Sequence, residues 1–316
     1  MLVRVSIGSL VALKDASIKV SANPGLVYVM QHSPSGCAAA CAFCTQGSMS
    51  ASSKDFLSRV VWPAVELDSV IRMVKRSHFQ RVCLQTVIKE GFIEEALDLT
   101  AKFSAVGRGV SVSITPIPTK LLKAFVRNGA DYLGVGLDAA SAEIAYHIMK
   151  PYPWKLYWRF IEEGVKVFGE GRVVTHIIVG LGESVRDFLE TVEKLYKLGS
   201  EVSLFAFTPM KGTLMESHSG PSIREYRFAQ LATYLISKGF KWREFTIFRG
   251  GKPYIKSEFL EEVAKDFRPF LTRGCPGCNR PFYTERPGEE LYNFPDSDSL
   301  RRWEGRLVEE LISLKV

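Results

Sequence analysis

The chain has 316 residues, 46% of them hydrophobic, and a formal net charge of +7. That is enough apolar material for one large barrel or two modest domains, yet no apolar run approaches the roughly 20 residues that cross a bilayer. Lys and Arg are spread without a dense block, so neither a nucleic acid nor a membrane surface is expected as a partner. The six cysteines fall into a close triad, one Cys-x-x-Cys pair and a single. This is the grouping of metal ligands in a reducing compartment, not of a disulfide framework. The start, Met1-Leu-Val-Arg-Val-Ser, lacks the parts of a secretory signal, so a cytoplasmic location is expected.

Residues 1–25 read as an N-terminal entry segment ending in the turn Ala22-Asn23-Pro24-Gly25. Residues 26–31 are a short apolar run with β-branched and aromatic members, a first strand. A cysteine loop follows directly. A helix is expected over 65–74, a strand over 81–87, a helix over 93–103 and a strand over 110–114. The alternation continues with helix 119–127, strand 132–137, helix 154–168 and strand 173–179. The next helix, 185–198, has Ser184 as its cap, Asp187 at the capping-box distance and Gly199 after its end. Strand 202–207, helix 222–238 and strand 245–248 complete the rhythm.

Strands alternating with helices imply parallel pairing through right-handed crossovers. The expected fold is therefore α/β, a parallel (β/α) barrel of the TIM type. Seven strands are countable and an eighth is not evident, so an incomplete barrel stays open. The barrel is expected to span 26–266. A tail over 267–316 is rich in Pro, Gly and aromatics, contains the Cys-x-x-Cys, and ends in a helix over about 300–314.

Within Gly36 to Gly47, Cys37, Cys41 and Cys44 are separated by three residues and then two. Three thiolates at this spacing can converge on one face of a small inorganic centre. A tetrahedral zinc site wants four protein ligands, and neither a fourth Cys nor a nearby His completes the set, since His32 precedes the loop. Three thiolates around a cubane leave one iron open. The plainer alternatives are a zinc knuckle or three unrelated buried cysteines.

This spacing, with aromatic Phe43 just before the last cysteine, resembles the signature of the radical S-adenosylmethionine (SAM) enzymes. The resemblance implies a 4Fe–4S cluster whose fourth iron is chelated by the amino and carboxylate groups of SAM. One electron, from a donor such as ferredoxin, then cleaves the sulfonium to a 5′-deoxyadenosyl radical, which abstracts a hydrogen atom. The segment His176 to Glu183 is similar to the family's fifth-strand segment flanking the adenine, which singles out Ile178 and Gly180. Asp138 ends the fourth strand, where biotin synthases place polar residues near the SAM ribose; it could equally cap the next helix. Where the family often carries Gly-Gly-Glu, this chain has Leu84-Gln85-Thr86, leaving the backbone of Gln85 and Thr86 for the SAM amino group. Arg159 lies where a SAM-carboxylate arginine would be useful, and also reads as an exposed helix arginine.

Cys275-Pro-Gly-Cys278 reads by itself as a redox pair or half a zinc site. Cys83 in the second strand resembles the biotin-synthase cysteine that binds an auxiliary cluster inside the barrel, although a lone strand cysteine is usually a small core residue. With Cys275 and Cys278 it would complete a second triad. The segment Phe205 to Thr213 also resembles the sixth-strand segment of biotin synthases, with a strand and Pro-Gly turn as its plain reading.

Two clusters in one barrel imply that one makes the radical and the other donates sulfur, the logic of biotin and lipoyl synthases. An ordinary biotin synthase takes further ligands from its third and fifth strands, and 110–114 and 173–179 contain no cysteine here. Cys275 to Pro281 looks more like the archaeal two-protein lipoyl synthases. The resemblance thus implies sulfur insertion into an octanoyl chain on a lysine of a small acyl-carrier (lipoyl) domain, with a second homologous radical SAM protein as a further partner. The alternatives are biotin formation from dethiobiotin, and a zinc- or cluster-stabilised binding protein without turnover.

Overall fold

The structure is a computed structural model that describes residues 1–14, 22–263, 267–285 and 288–316. The expected end of the barrel segment, residue 266, lies outside the described residues. Eight strands form one sheet: β1 (Leu2–Val5), β2 (Val27–Gln31), β3 (Ala64–Glu66), β4 (Arg81–Gln85), β5 (Gly109–Ser113), β6 (Ala130–Asp138), β7 (Val173–Val179) and β8 (Glu201–Ala206). Their order is β8-β7-β6-β5-β4-β2-β1-β3. The six strands from β2 to β8 in this order are parallel, and β1 and β3 are added antiparallel at one side. The sheet is thus a mostly parallel, open relative of the TIM barrel.

Period-2 alternation explains both faces of this sheet. Val82 and Leu84, Val110 and Val112, Leu133 and Val135, and Val173 and Ile177 point to the helices and are fully buried. Against them pack Leu99 and Phe103 of α3 (Phe92–Ala105), Phe125 of α4 (Thr119–Arg127) and Ile161 of α6 (Trp154–Phe168). Leu189 and Val192 of α7 (Val185–Lys197) and Leu231 and Leu235 of α8 (Ile223–Ser237) continue the layer. Each such side chain contributes about 1.5–3 kcal/mol by leaving water. The intervening strand residues face inward and are often small, such as Ser111, Ser113, Gly134, Gly136 and Ser203. They leave a cavity of about 300 Å³ inside the sheet's curve.

The helix starts follow their caps. Ser184 Oγ accepts the Asp187 amide at 3.0 Å, and at α8 Ser222 Oγ accepts from Glu225 N while Glu225 accepts from Ser222 N.

The structure departs from the sequence reading in four places. Leu2–Val5 is a sheet strand, and its pairing with Ala64–Glu66 moves the start of α2 (Leu67–Arg76) two residues past the expected 65. The expected strand 245–248 does not join the main sheet. Thr246–Arg249 pairs antiparallel with Lys252–Ile255 across Gly250 and Gly251, whose φ values of +54° and +74° suit a two-residue hairpin turn. The closing helix is two, Ser297–Arg302 and Glu304–Leu314, interrupted at Trp303. Finally, Asp138 caps no helix: Ser141 caps α5 (Ala142–His147), accepting the Ile144 amide.

The tail lies across the open side between the first and last parallel strands. Ser203 Oγ donates to the Arg273 carbonyl at 2.6 Å, and Arg280 donates to the Leu204 carbonyl at 3.2 Å, on β8. On the β2 side, the Tyr28 hydroxyl accepts the Asn279 and Arg280 amides, and Asn279 Oδ1 accepts the Gly25 amide at 2.7 Å. Buried Arg227 of α8 anchors the tail's far end, donating to the Leu291 and Tyr292 carbonyls and pairing with Glu310 at 2.6 Å.

Candidate active site: five cysteines on one cavity

The Cys37, Cys41, Cys44 loop follows β2, at the C-terminal end of the parallel strands where such folds place their chemistry. Its backbone is closely tied. The Cys37 amide donates to the Gln46 carbonyl at 2.7 Å, and Cys44 N donates to the Cys41 carbonyl at 3.0 Å. The Lys54 ammonium gathers the Thr45, Gly47 and Ser50 carbonyls at 2.9–3.1 Å. The Ile88 amide, just beyond β4, donates to Cys37 Sγ at 3.2 Å. Burial pushes the Cys41 thiol up to about 11 and the Cys44 thiol up to about 12. A bound cation reverses that preference, because a coordinating thiol is deprotonated outright.

Cys83 faces inward from the middle of β4, and the tail brings Cys275 and Cys278 to it. Cys41, Cys44, Cys83, Cys275 and Cys278 all line the same cavity. Burial raises the Cys83 thiol, with Cys275 and Cys278 adding to it, and raises Cys275 to about 11. Among the described residues no three His, Cys, Asp or Glu side chains are placed to hold a single metal ion. The sulfurs of Cys41, Cys44, Cys83, Cys275 and Cys278 border the cavity and not one shared point.

Of the other candidates, Gln85, Thr86, Asp138 and Ile178 line this cavity. The β6–β7 pairing shifts register between Gly136 and Asp138, and Asp138 takes a φ of +64° that turns it inward. Gln85 donates to Cys83 Sγ at 3.0 Å, and Thr86 donates to the Ser113 carbonyl. Gly180 is not among the described residues that line the cavity; it has a φ of +99°, its amide is held by Glu183, and Pro221 packs against it. Arg159 is a correction: it is exposed on α6 and pairs with Glu163 at 2.9 Å, one turn along the same helix and away from the cavity.

The buried cation near the cysteine loop is Lys150, which the sequence reading passed over. It pairs with Asp138 at 2.5 Å and donates to the Gly136 carbonyl at 2.8 Å. Burial opposes its charge, but Asp138 and then Cys41 outweigh this and hold its ammonium above the ordinary lysine value. Also unforeseen are Tyr283 and Arg280, which reach the cavity from the tail, and His176. Arg280 lies 3.7 Å over the Phe205 ring, which meets Tyr283 and His176 edge to face. Burial, with Arg280 close by, lowers His176 to about 4, so it is neutral at pH 7. Their only sequence signal was position: inward-facing in a strand, or next to the Cys-x-x-Cys.

Among the described residues no helix is long and apolar enough to cross a membrane. The curated proteins contain no match to this chain. Among solved structures, methylornithine synthase (PylB) aligns with a TM-score of 0.56 at 12% identity, covering 89% of this chain and 81% of that one. HydG, a maturase of the FeFe-hydrogenase, aligns at 0.53 and 12%, covering 66% of this chain and 50% of that one. HydG from Carboxydothermus hydrogenoformans gives 0.52 at 13%, covering 68% and 52%. This chain thus spans about half the length of the HydG proteins, and at these identities the likeness is one of fold. The sequence itself matches the radical SAM superfamily over residues 33–195, a segment that takes in Cys37, Cys41, Cys44 and Asp138. Because that match covers more than half of its length, the chain belongs to the radical SAM superfamily, whose members use a 4Fe–4S cluster and SAM.

Proposed function

We propose that the chain is a sulfur-inserting radical SAM enzyme of the lipoyl synthase kind. The observation that carries the reading is the meeting of Cys83 with Cys275 and Cys278 on the cavity that Cys41 and Cys44 also face. In this reading Cys37, Cys41 and Cys44 hold the SAM-binding cluster, and the interior triad holds an auxiliary iron–sulfur cluster. Bound there, the first cluster with SAM supplies hydrogen-atom abstraction, and the second supplies the sulfur.

The protein's own groups fit that division. Lys150 offers a buried cation for the SAM carboxylate, the role considered for Arg159, and Asp138 stands next to it for the ribose hydroxyls. Gln85 and Thr86 supply backbone acceptors at the end of β4, and Ile178 an apolar wall for the adenine. Phe43, Trp62, Phe205 and Phe207 line the cavity with apolar surface that suits an alkyl chain and excludes water from a radical. The inward residues of β5 and β7, Ser111, Ser113, Val174 and His176, are not cysteines, which favours an octanoyl substrate over dethiobiotin. The substrate chain would be presented on a lysine of an acyl-carrier domain, with an electron donor of the ferredoxin type and a second radical SAM protein as partners.

Anaerobic reconstitution with iron, sulfide, SAM and reductant tests this. The expected result is 5′-deoxyadenosine together with thiolated octanoyl carrier domain, and no biotin from dethiobiotin. Deoxyadenosine with no thiolated product from either substrate, with both clusters loaded, would sink the sulfur-insertion reading. Biotin as product would replace it with biotin formation.

A further inference from the structure

Each sulfur of the interior triad faces a polar group presented by a strand. On β4, Gln85 Nε2 lies 3.0 Å from Cys83 Sγ, and an amide nitrogen can only donate. On β2, the Tyr28 hydroxyl accepts the Asn279 amide at 3.3 Å and the Arg280 amide at 3.0 Å, which fills both of its acceptor positions. Its own proton then points to Cys278 Sγ, 3.8 Å away. On β5, buried Ser111 accepts from Arg81 at 3.2 Å, which leaves its own proton free to turn to Cys275 on the same cavity. Asp131 holds the Arg81 guanidinium in turn, with Oδ2 at 2.7 Å.

A neutral buried thiol behaves as a small hydrophobe and needs no such partners. Hydrogen-bond donors around three sulfurs are the complement of negative charge on those sulfurs. Donors aimed at cluster ligands stabilise the more negative, reduced state and so raise the potential. We infer that Tyr28, Gln85 and Ser111 form a donor cradle that holds the three charged sulfurs of the interior centre and sets its reduction potential. The three are positioning residues acting through Cys278, Cys83 and Cys275. This rests on the reading of the triad as ligands of an auxiliary iron–sulfur cluster.

The test uses the full chain carrying Cys37→Ser, Cys41→Ser and Cys44→Ser together, so that any cluster signal belongs to the interior centre. Tyr28→Phe would also release the Asn279 and Arg280 amides, so Gln85→Met and Ser111→Ala are the deciding variants, with Ser111→Thr as the conservative rescue. After anaerobic loading with iron and sulfide, an electron paramagnetic resonance titration reads the potential. Gln85→Met and Ser111→Ala should each lower the reduced-to-oxidised ratio at fixed potential about tenfold, which is about 59 mV for a one-electron couple. Ser111→Thr should restore it. A centre that assembles with unchanged potential in both variants overturns the cradle and leaves the sulfur-donor reading standing. A triple-serine chain that binds no iron overturns both.

Discussion

Lys150 and Asp138 form a buried ion pair, 2.5 Å between Nζ and Oδ2, with side chains only 7% and 14% exposed. Removing one member leaves the other charge buried and alone, which typically costs about 3–5 kcal/mol. Lys150→Met should therefore destabilise the chain by about that amount, while Lys150→Met with Asp138→Asn should recover most of it. Urea denaturation of the singles and the double measures this. Strictly additive costs would mean that the two groups do not support each other. SAM binding supplies a separate readout: Asp138→Ala should weaken it by about 1.5–3 kcal/mol if the carboxylate holds the ribose.

The two cysteine triads should separate by mutation. Cys37→Ala, Cys41→Ala or Cys44→Ala should each abolish 5′-deoxyadenosine formation. Cys83→Ala, Cys275→Ala and Cys278→Ala should retain SAM cleavage but lose thiolated product. Iron should fall from about eight atoms to about four per chain if both centres are cubanes. A structural zinc at the tail predicts the reverse pattern, with iron unchanged and a lower melting temperature.

Gly25 marks where the tail crosses the entry to β2. A Cβ on Gly25 would stand 2.1 Å from the Gly277 carbonyl oxygen, and backbone cannot step aside as a flexible side chain can. Gly25→Ala should displace the Cys275–Cys278 loop and cost about 1–3 kcal/mol, as overpacked sites do. Limited proteolysis should show earlier cleavage within 273–285. Wild-type proteolysis and stability would show that the crossing gives way freely.

Glu285 is 6% exposed, and burial raises its carboxyl to about 7, with one carboxylate oxygen unpartnered among the described residues. Its folded pKa lies above the unfolded value near 4.5, so the folded state binds the proton more tightly. The stability from this group is fully present below about pH 4.5 and is lost as pH rises through about 7. Glu285→Gln should thus gain melting temperature over the wild type as pH goes from 5 to 8. A constant difference across that range would show that burial does not raise the Glu285 carboxyl above its unfolded value.

Much of this architecture was legible because periodicity is a strong signal. Helices Thr119–Arg127 and Trp154–Phe168 and strand Val173–Val179 carry their expected bounds. What escaped was long-range. The strand value of Leu2–Val5 depends on Ala64–Glu66 lying beside it, and nothing local announces that partner. The Gly250-Gly251 pair is a hairpin signal that the sequence reading passed over, and its turn geometry outweighed the barrel rhythm for Thr246–Arg249. Arg159 was drawn to the site by its position in the chain, although Glu163 four residues on already marked an exposed helix face. Lys150 could be placed only once the fold had returned it to Asp138. The triad of Cys37, Cys41 and Cys44 and the pair of Cys275 and Cys278 were readable because their spacing is local, and Cys83 joined the pair only through the resemblance to biotin synthases, whereas Tyr28 and Ser111 differ from other inward strand residues only by what the tail brings against them.

Because the tail bridges from β8 to β2, the two cysteine groups differ in their order of assembly. Cys37, Cys41 and Cys44 lie in one short loop and need only their immediate neighbours to converge. Cys83 must wait until a distant part of the chain has come back across the open side, a closure whose entropic cost grows with the length enclosed. During synthesis the loop site can therefore take iron while the interior still lies open to solvent. The meeting of Cys83 with Cys275 and Cys278 becomes possible only as the tail crosses, so it belongs to the last step of the fold.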